Sequence, residues 1–316
     1  MKVARYTSNN ANRWDEFVRE SKNATFLMER AYMDYHADRF HDHSLMLLDD
    51  RDRLVGVIPG HEGERRYVSH AGLTFGGVVS GSSMTTPMML DIFDCVRRYL
   101  VQANFRTWRY KTIPYIYHRY PSDEDRYALF RADAKLYRTD VLSVIPMRDR
   151  LGFQDRRRRR IKSAGRLGLL VQRSCDFRGF WRILESNLAS KHGLKPVHTA
   201  EEIQRLYARF PDAIQMHVCI EADAIVAGVV VYDSPMVAHA QYIAASARGM
   251  EIGALDYLLA QLIEKEYVNR PYFDFGSSNE EEGRVLNRGL IEQKEGFGAR
   301  AVVHEFFELQ LTQAEA

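Results

Sequence analysis

The sequence is poor in sulfur chemistry. It has three cysteines in 316 residues, Cys95, Cys175 and Cys219, widely spaced and without CxxC pairing. That excludes a disulfide framework and a cysteine zinc site, and it suits a reducing compartment. Long apolar runs are also missing: nothing approaches the ~18 residues of a membrane span. The opening MKVARYTSNNANRW lacks the apolar centre of a signal peptide, so a cytoplasmic protein is expected. Charge of one sign is missing too. Against 44 Lys+Arg stand 42 Asp+Glu, a net charge of +2, so global charge does not argue for nucleic acid or an anionic membrane. No Gly-x-Ser-x-Gly elbow is present, and the spacing of His36, His41 and His43 fits no metal template; no metal is expected.

What is there is an ordinary soluble composition, 46% apolar and 27% charged, long enough for two domains, and an order of elements that occurs twice. Ser44–Leu48 and Leu54–Ile58 flank an acidic turn and predict a hairpin; Met216–Ile220 and Ile225–Val231 predict a second. Each hairpin is followed by a strand, at Tyr67–Ala71 and Val237–Ile243, with His70 and His239 in similar places. A helix comes next. Leu255, Leu258, Leu259, Leu262 and Ile263 form an apolar stripe of helical period, nearly reproduced by Met89, Ile92, Phe93, Val96 and Leu100. Both helices lead into a strand, Thr107–Lys111 and Tyr272–Gly276, and both copies close with a short helix and another strand. An amphipathic helix opens each copy, around Trp14 and Trp181. The alternation predicts an α/β protein of two similar units, each a mixed twisted sheet flanked by helices, divided at 147/148 where proline, charge and glycine interrupt the pattern.

Several segments could carry chemistry. Ser246-Ala-Arg-Gly-Met-Glu-Ile-Gly-Ala254 joins a strand to the best helix. Such a turn presents unpaired N–H groups and partial positive charge, suited to a pyrophosphate, and Gly249 and Gly253 allow close backbone approach. Asp274, on an otherwise apolar strand, is either a paired structural group or a general base. His239 and His70 are bases of near-neutral titration, or core histidines. Tyr242, beside His239, is a candidate substrate contact. The Ala71–Gly77 stretch and Lys111-Thr-Ile-Pro-Tyr-Ile-Tyr-His118 offer backbone, a cation and aromatics to a sugar or phosphate. Asn279 and Asn287 orient substrate, or shape a loop and cap its helix. Arg156 to Arg160 form a local basic run whose members cannot all face one ligand, because successive residues turn by about 100°. Arg156 and Arg160 are the candidates for an acceptor phosphate; RNA binding is the competing use.

Residues 149–309 resemble the C-terminal half of the FemAB-like, peptidyltransferase-related branch of the GNAT acyltransferases. The likeness rests on the basic segment Arg156–Val171, on Tyr272-Phe-Asp-Phe-Gly276, and on Gly289-Leu-Ile-Glu-Gln-Lys-Glu-Gly-Phe-Gly298; the first half fits through element order. The resemblance implies two tandem GNAT-like domains, 1–147 and 148–316. It also implies acyl transfer to an amine or hydroxyl of a cell-envelope precursor, a sugar nucleotide or lipid-linked glycan. In the GNAT turn that holds coenzyme A, usually Arg/Gln-x-x-Gly-x-Gly/Ala, Arg248, Gly253 and Ala254 match while Glu251 replaces the first glycine. Arg248, Gly249, Gly253 and Ala254 are thus the expected contacts for acyl-CoA (acetyl-CoA). Lys294 falls on the family's motif lysine and is expected at the reacting centre with His239 and Asp274. The long helical hairpin that some relatives use for tRNA has no counterpart, which favours acyl-CoA over aminoacyl-tRNA as donor. A non-catalytic glycan-binding protein is the other alternative.

Overall fold

The computed structural model describes residues 1–192 and 195–311; the side chains of His36 and of residues 190–192 lie outside that description. Two compact units are present. Unit 1 comprises 1–140 with 281–285 and 303 onward, and unit 2 comprises 141–280 with 286–302.

In unit 1, β1 (Lys2–Arg5) leads to α1 (Ala11–Glu20) and the single-turn α2 (Arg30–Met33). The first hairpin follows as β2 (Leu45–Leu48) and β3 (Leu54–Ile58), then a second as β4 (Gly60–Gly63) and β5 (Arg66–Ser69), and the short β6 (Val79–Ser80). Strands β1, β2, β3 and β6 make a four-stranded sheet in that order. Helix α3 (Thr86–Gln102) starts where Thr85 accepts from Met88 N and Pro87 sits in the first turn. It buries Met89, Ile92, Phe93, Val96 and Leu100, the stripe read from the sequence. Each such burial is worth roughly 1.5–3 kcal/mol against exposure. The chain continues as β7 (Thr107–Lys111), α4 (Glu124–Arg131) and β8 (Lys135–Pro146), whose last residues belong to unit 2. β5 and β7 run parallel, with α3 in the connection between them, in register Arg66↔Thr107, Tyr67↔Trp108 and Val68↔Arg109.

Unit 2 opens with α5 (Asp155–Ala164), β9 (Leu170–Arg173), α6 (Phe177–His192) and α7 (Ala200–Arg209). A capping box of Thr199 and Glu202 starts α7. The antiparallel β10 (Ile214–Glu221), β11 (Ala224–Asp233) and β12 (Val237–Ala245) follow. Helices α8 (Ala247–Ile252) and α9 (Ala254–Gln261) then lead to β13 (Tyr272–Ser277). After β14 (Asn279–Glu280) and β15 (Val285–Leu286) come α10 (Arg288–Glu295) and β16 (Arg300–Gln310), whose first residues are in unit 2 and the rest in unit 1. Strand order in unit 2 is β8, β13, β12, β11, β10, β9. β12 and β13 run parallel, as β5 and β7 do. The expectation of mixed, helix-flanked sheets therefore holds.

One local expectation is corrected. The stretch after β12 is no open turn: α8 occupies 247–252, capped by Ser246, and ends at Gly253, whose φ of +76° breaks it from α9. Only a glycine adopts that backbone at low cost, so Gly253 terminates one helix and starts the next.

Candidate active site

The register of unit 2 brings His239 and Asp274 side by side. β12 and β13 pair at Val237↔Tyr272, Ala238↔Phe273 and His239↔Asp274, and no further. Beyond that point β12 runs on to Ala245 against β11, while β13 shifts register against β8 between Asp274 and Ser277. The parallel strands thus part directly after His239 and Asp274. A split between parallel strands leaves backbone N–H and C=O groups facing a gap, where they can bind a ligand.

Asp274 is 1% exposed. Its Oδ2 lies 2.8 Å from His239 Nδ1, and its Oδ1 accepts from Gly276 N at 2.7 Å. His239 Nε2 faces Gln241 Oε1 at 3.1 Å. With Nδ1–H given to Asp274, the neutral imidazole has a lone pair at Nε2. Gln241 then presents its amide N–H by turning, or its oxygen when the ring is an imidazolium. Either proton state is satisfied, which is what a base that gains and releases a proton requires. Gly276 has φ +70°, and a Cβ there would lie 3.2 Å from His239 Cε1. Its glycine keeps the strand exit tight against the histidine.

Lys294, near the end of α10, is buried and donates to Gly276 O at 3.0 Å and Ser277 O at 2.6 Å. Burial pushes its pKa down to about 8, with the Asp274 charge opposing the shift. An ammonium has three N–H groups, and two are used here. The third has no protein acceptor among the described residues. Asn287 sets this helix in place: its Oδ1 caps α10 by accepting from Leu290 N at 3.0 Å, and its Nδ2 donates to Glu280 at 2.9 Å. Asn279 Oδ1 accepts from Val141 N at 2.6 Å and fixes the loop after β13.

The remaining sequence candidates fall elsewhere in unit 2 or in unit 1. Tyr242 is buried, stacked edge-on with Trp181 at 5.0 Å and hydrogen-bonded to His198. Arg248 is held bidentately by Glu221 and also meets Glu251, which raises its pKa. A Cβ on Gly249 would stand 2.0 Å from Val226 O, so that glycine serves packing. Ala254 is buried in the core. The N-terminus of α9 already holds an anion. Asp256, in its first turn and 6% exposed, accepts from Arg157 Nη1 and from Arg160 Nε at 2.8 Å. Arg160 also donates to Met250 O and lies over Gly253, its Nε 3.7 Å from where a Cβ would be. Arg156, by contrast, is exposed.

In unit 1, Lys111 and His70 do come together. Lys111 Nζ donates to His70 O at 2.8 Å and to Leu73 O. Burial, then Arg138, pushes the Lys111 pKa down to about 7. His70 Nδ1 accepts from Gly72 N at 3.2 Å, and its ring packs against Phe40 and His61. Two histidines of this region escaped the sequence reading, His61 and His304. Burial and then Lys111 push them down to about 4 and about 3. Neither has a motif around it, and a histidine's depth is not a sequence property. Gln241 and Asp256 also went unassigned as chemistry. Asp256 carries a signal, an acidic residue in the first turn of a periodic helix.

Among the described residues no group of three or more His, Cys, Asp or Glu is arranged to hold a metal, and no helix is long and apolar enough to cross a membrane.

Against known proteins, residues 153–282 match the family model described as an acetyltransferase (GNAT) domain. The whole fold is similar to that of FemX, at 11% identity over 98% of this chain and 97% of that one, with a TM-score of 0.67. It is also similar to L-PGS from Bacillus licheniformis, at 10% identity over 96% and 93% with a TM-score of 0.63. A third likeness is to the C-terminal DUF2156 domain of a candidate lysylphosphatidylglycerol synthetase from Agrobacterium fabrum, at 11% over 98% and 93% with a TM-score of 0.62. At such identities the likeness is one of fold. No curated protein sequence matches the chain.

Proposed function

We propose that this chain, a GNAT-type acyltransferase of FemAB-like fold, transfers an aminoacyl group from an aminoacyl-tRNA to an amine of a cell-envelope precursor. The observation that carries the reaction is the His239–Asp274 pair at the point where β12 and β13 part, with Lys294 fixed beside it. His239 takes the proton from the attacking amine, and Asp274 holds the ring in the tautomer that presents Nε2. The amine forms a bond to the ester carbonyl carbon, and the C=O pair moves onto oxygen. The third N–H of Lys294 stabilises that oxyanion. Collapse expels the tRNA 3′-terminal ribose hydroxyl, which receives the proton from the histidine.

The choice of donor rests on α9. A coenzyme A pyrophosphate needs open N–H groups at a helix N-terminus. Here Asp256 supplies a resident carboxylate, neutralised by Arg157 and Arg160, and Arg248 is engaged by Glu221 and Glu251. Those features favour an ester donor over the acyl-CoA implied by the turn's residue pattern. An aminoacyl-tRNA is a cytoplasmic species, so the reaction belongs on that side of the membrane. The acceptor class, a sugar-nucleotide or lipid-linked precursor, follows the FemAB-like resemblance.

The test is transfer of radiolabel to a pool of envelope precursors from charged tRNA and, in parallel, from acetyl-CoA. Transfer from charged tRNA that His239→Gln abolishes supports the reading. Transfer from acetyl-CoA alone overturns the donor, and transfer that survives His239→Gln overturns the base.

A further inference from the structure

We infer that the outward face of α5 is the docking surface for the RNA backbone of the donor, a surface that rests on the aminoacyl-tRNA reading above. The five-arginine run divides by helical geometry into two sets. Arg157 and Arg160 face inward with Ile161 and the fully buried Ala164. Arg157 and Arg160 neutralise Asp256, and the Arg157 guanidinium also covers the Phe297 ring at 5.1 Å. Arg158 is spent on Asp155 within the same turn.

The other set is Arg156, Arg159, Lys162 and, just past the helix end, Arg166. At 100° per residue Arg156, Arg159 and Lys162 fall within about a third of the helix circumference, and Arg166 follows in the turn after the helix. All four are exposed, and among the described residues none has a carboxylate partner or any side-chain hydrogen bond. Acidic residues are nearly as numerous as basic ones in this chain, so four neighbouring cations left without a counter-ion are a local departure from its own pattern. Arg156 to Lys162 run for about 9 Å along the axis, with Arg166 beyond the helix end.

The stripe is also tied to the site. Gln154 N donates to Gly296 O at 2.9 Å, and Arg157 Nε lies 3.1 Å from where a Cβ on Gly296 would be. Gly296 is two residues from Lys294. The N-terminal end of the stripe therefore starts on the same packed segment that carries the reacting lysine. A chain of phosphates laid along α5 is led toward that lysine. Guanidinium forks, three of the four cations, suit phosphate oxygens. Contacts of this kind position a nucleic acid without reading its sequence.

The test is fluorescence anisotropy of labelled, uncharged bulk tRNA with the full chain between 50 and 200 mM salt. Anionic phosphatidylglycerol vesicles form a parallel arm. The expected result is binding whose log–log salt slope has a magnitude of roughly 3 to 4. The fourfold variant Arg156→Gln, Arg159→Gln, Lys162→Gln, Arg166→Gln should bind tRNA at least about 30-fold more weakly at low salt and lose most of that slope. Arg158→Gln should bind within about twofold of the parent. The substituted side chains are exposed, so thermal melting should leave the fold unchanged. Undiminished tRNA binding by the fourfold variant, or a stripe that holds vesicles and not tRNA, overturns the inference. In the transfer assay the two proposals separate. A fourfold variant with an unchanged KM for charged tRNA overturns the docking surface and leaves the donor standing. A parent that binds tRNA through the stripe yet transfers only from acetyl-CoA overturns the donor, and with it the stripe's role as a donor site, while leaving α5 an RNA-binding face.

Discussion

Both units place a parallel strand pair around a helix, and the third register position of each pair differs in kind. In unit 1 it joins Val68 to Arg109, and Arg109 is spent on Glu308 at 2.8 Å. In unit 2 it joins His239 to Asp274, whose carboxylate accepts from Gly276 N, and Lys294 donates to the Gly276 carbonyl. The helices differ as well: α3 begins on the neutral cap Thr85, whereas α9 begins on Gly253 and a buried Asp256 clamped by arginines. One topology thus carries a histidine–carboxylate pair in one unit and an apolar residue beside a part-buried ion pair in the other. Topology selects the position, and the residue there decides whether chemistry follows.

The comparison breaks most visibly at that third register position. Asp274→Asn should lower kcat by roughly a thousandfold, because an amide stabilises the wrong histidine tautomer and cannot balance the imidazolium. Arg109→Gln in the other unit should leave kcat within about twofold. Steady-state transfer assays on both variants decide it, and equal losses would mean the contrast between the units carries no catalytic meaning.

Next in size is the lysine. Lys294→Met should cost roughly a hundredfold in kcat, about 3 kcal/mol of transition-state stabilisation, with KM little changed. A raised KM at constant kcat would move Lys294 from the oxyanion to a phosphate of the acceptor.

The helix starts give a stability test. Asp256→Ala leaves two guanidinium groups without their carboxylate and should cost roughly 3 kcal/mol in urea unfolding. Thr85→Ala removes only a neutral cap and should cost about 1 kcal/mol. Comparable losses would show that the α9 carboxylate is an ordinary cap.

A further contrast is a pH slope that belongs to unit 1. Lys111 has its pKa lowered from 10.5 to about 7. Between those values the unfolded chain holds a proton that the folded chain has released, so stability rises with pH across that window. Lys111→Met should flatten the rise, as read from urea midpoints at pH 7 to 10. An unaltered slope would mean that Lys111 stays charged in the fold.

Much of this was legible in residue order. The hairpins, the helical stripes of α3 and α9 and the strands β7 and β13 are periodic patterns, and period is local. His239, Asp274 and Lys294 were each singled out, two from strand context and one from a motif. What could not be read was whose partner each one is. Asp274 read as a paired structural group or a base, and the structure pairs it with both His239 and Gly276. The stretch 246–254 read as an open anion turn, because the sequence shows its glycines and not that Val226 O blocks one and Arg160 covers the other.

The sequence by itself determined the alternation of elements and its recurrence, since side-chain period and turn residues act within a few positions of one another. It also determined that α5 has more arginines than one face can hold, a consequence of 3.6 residues per turn. Only the tertiary structure decided which of those arginines are neutralised, because Asp256 lies 99 residues from Arg157. It alone decided the register that sets His239 against Asp274, 35 residues apart. Register is a property of two strands meeting, and a slip of one residue would have turned one of those side chains to the opposite face.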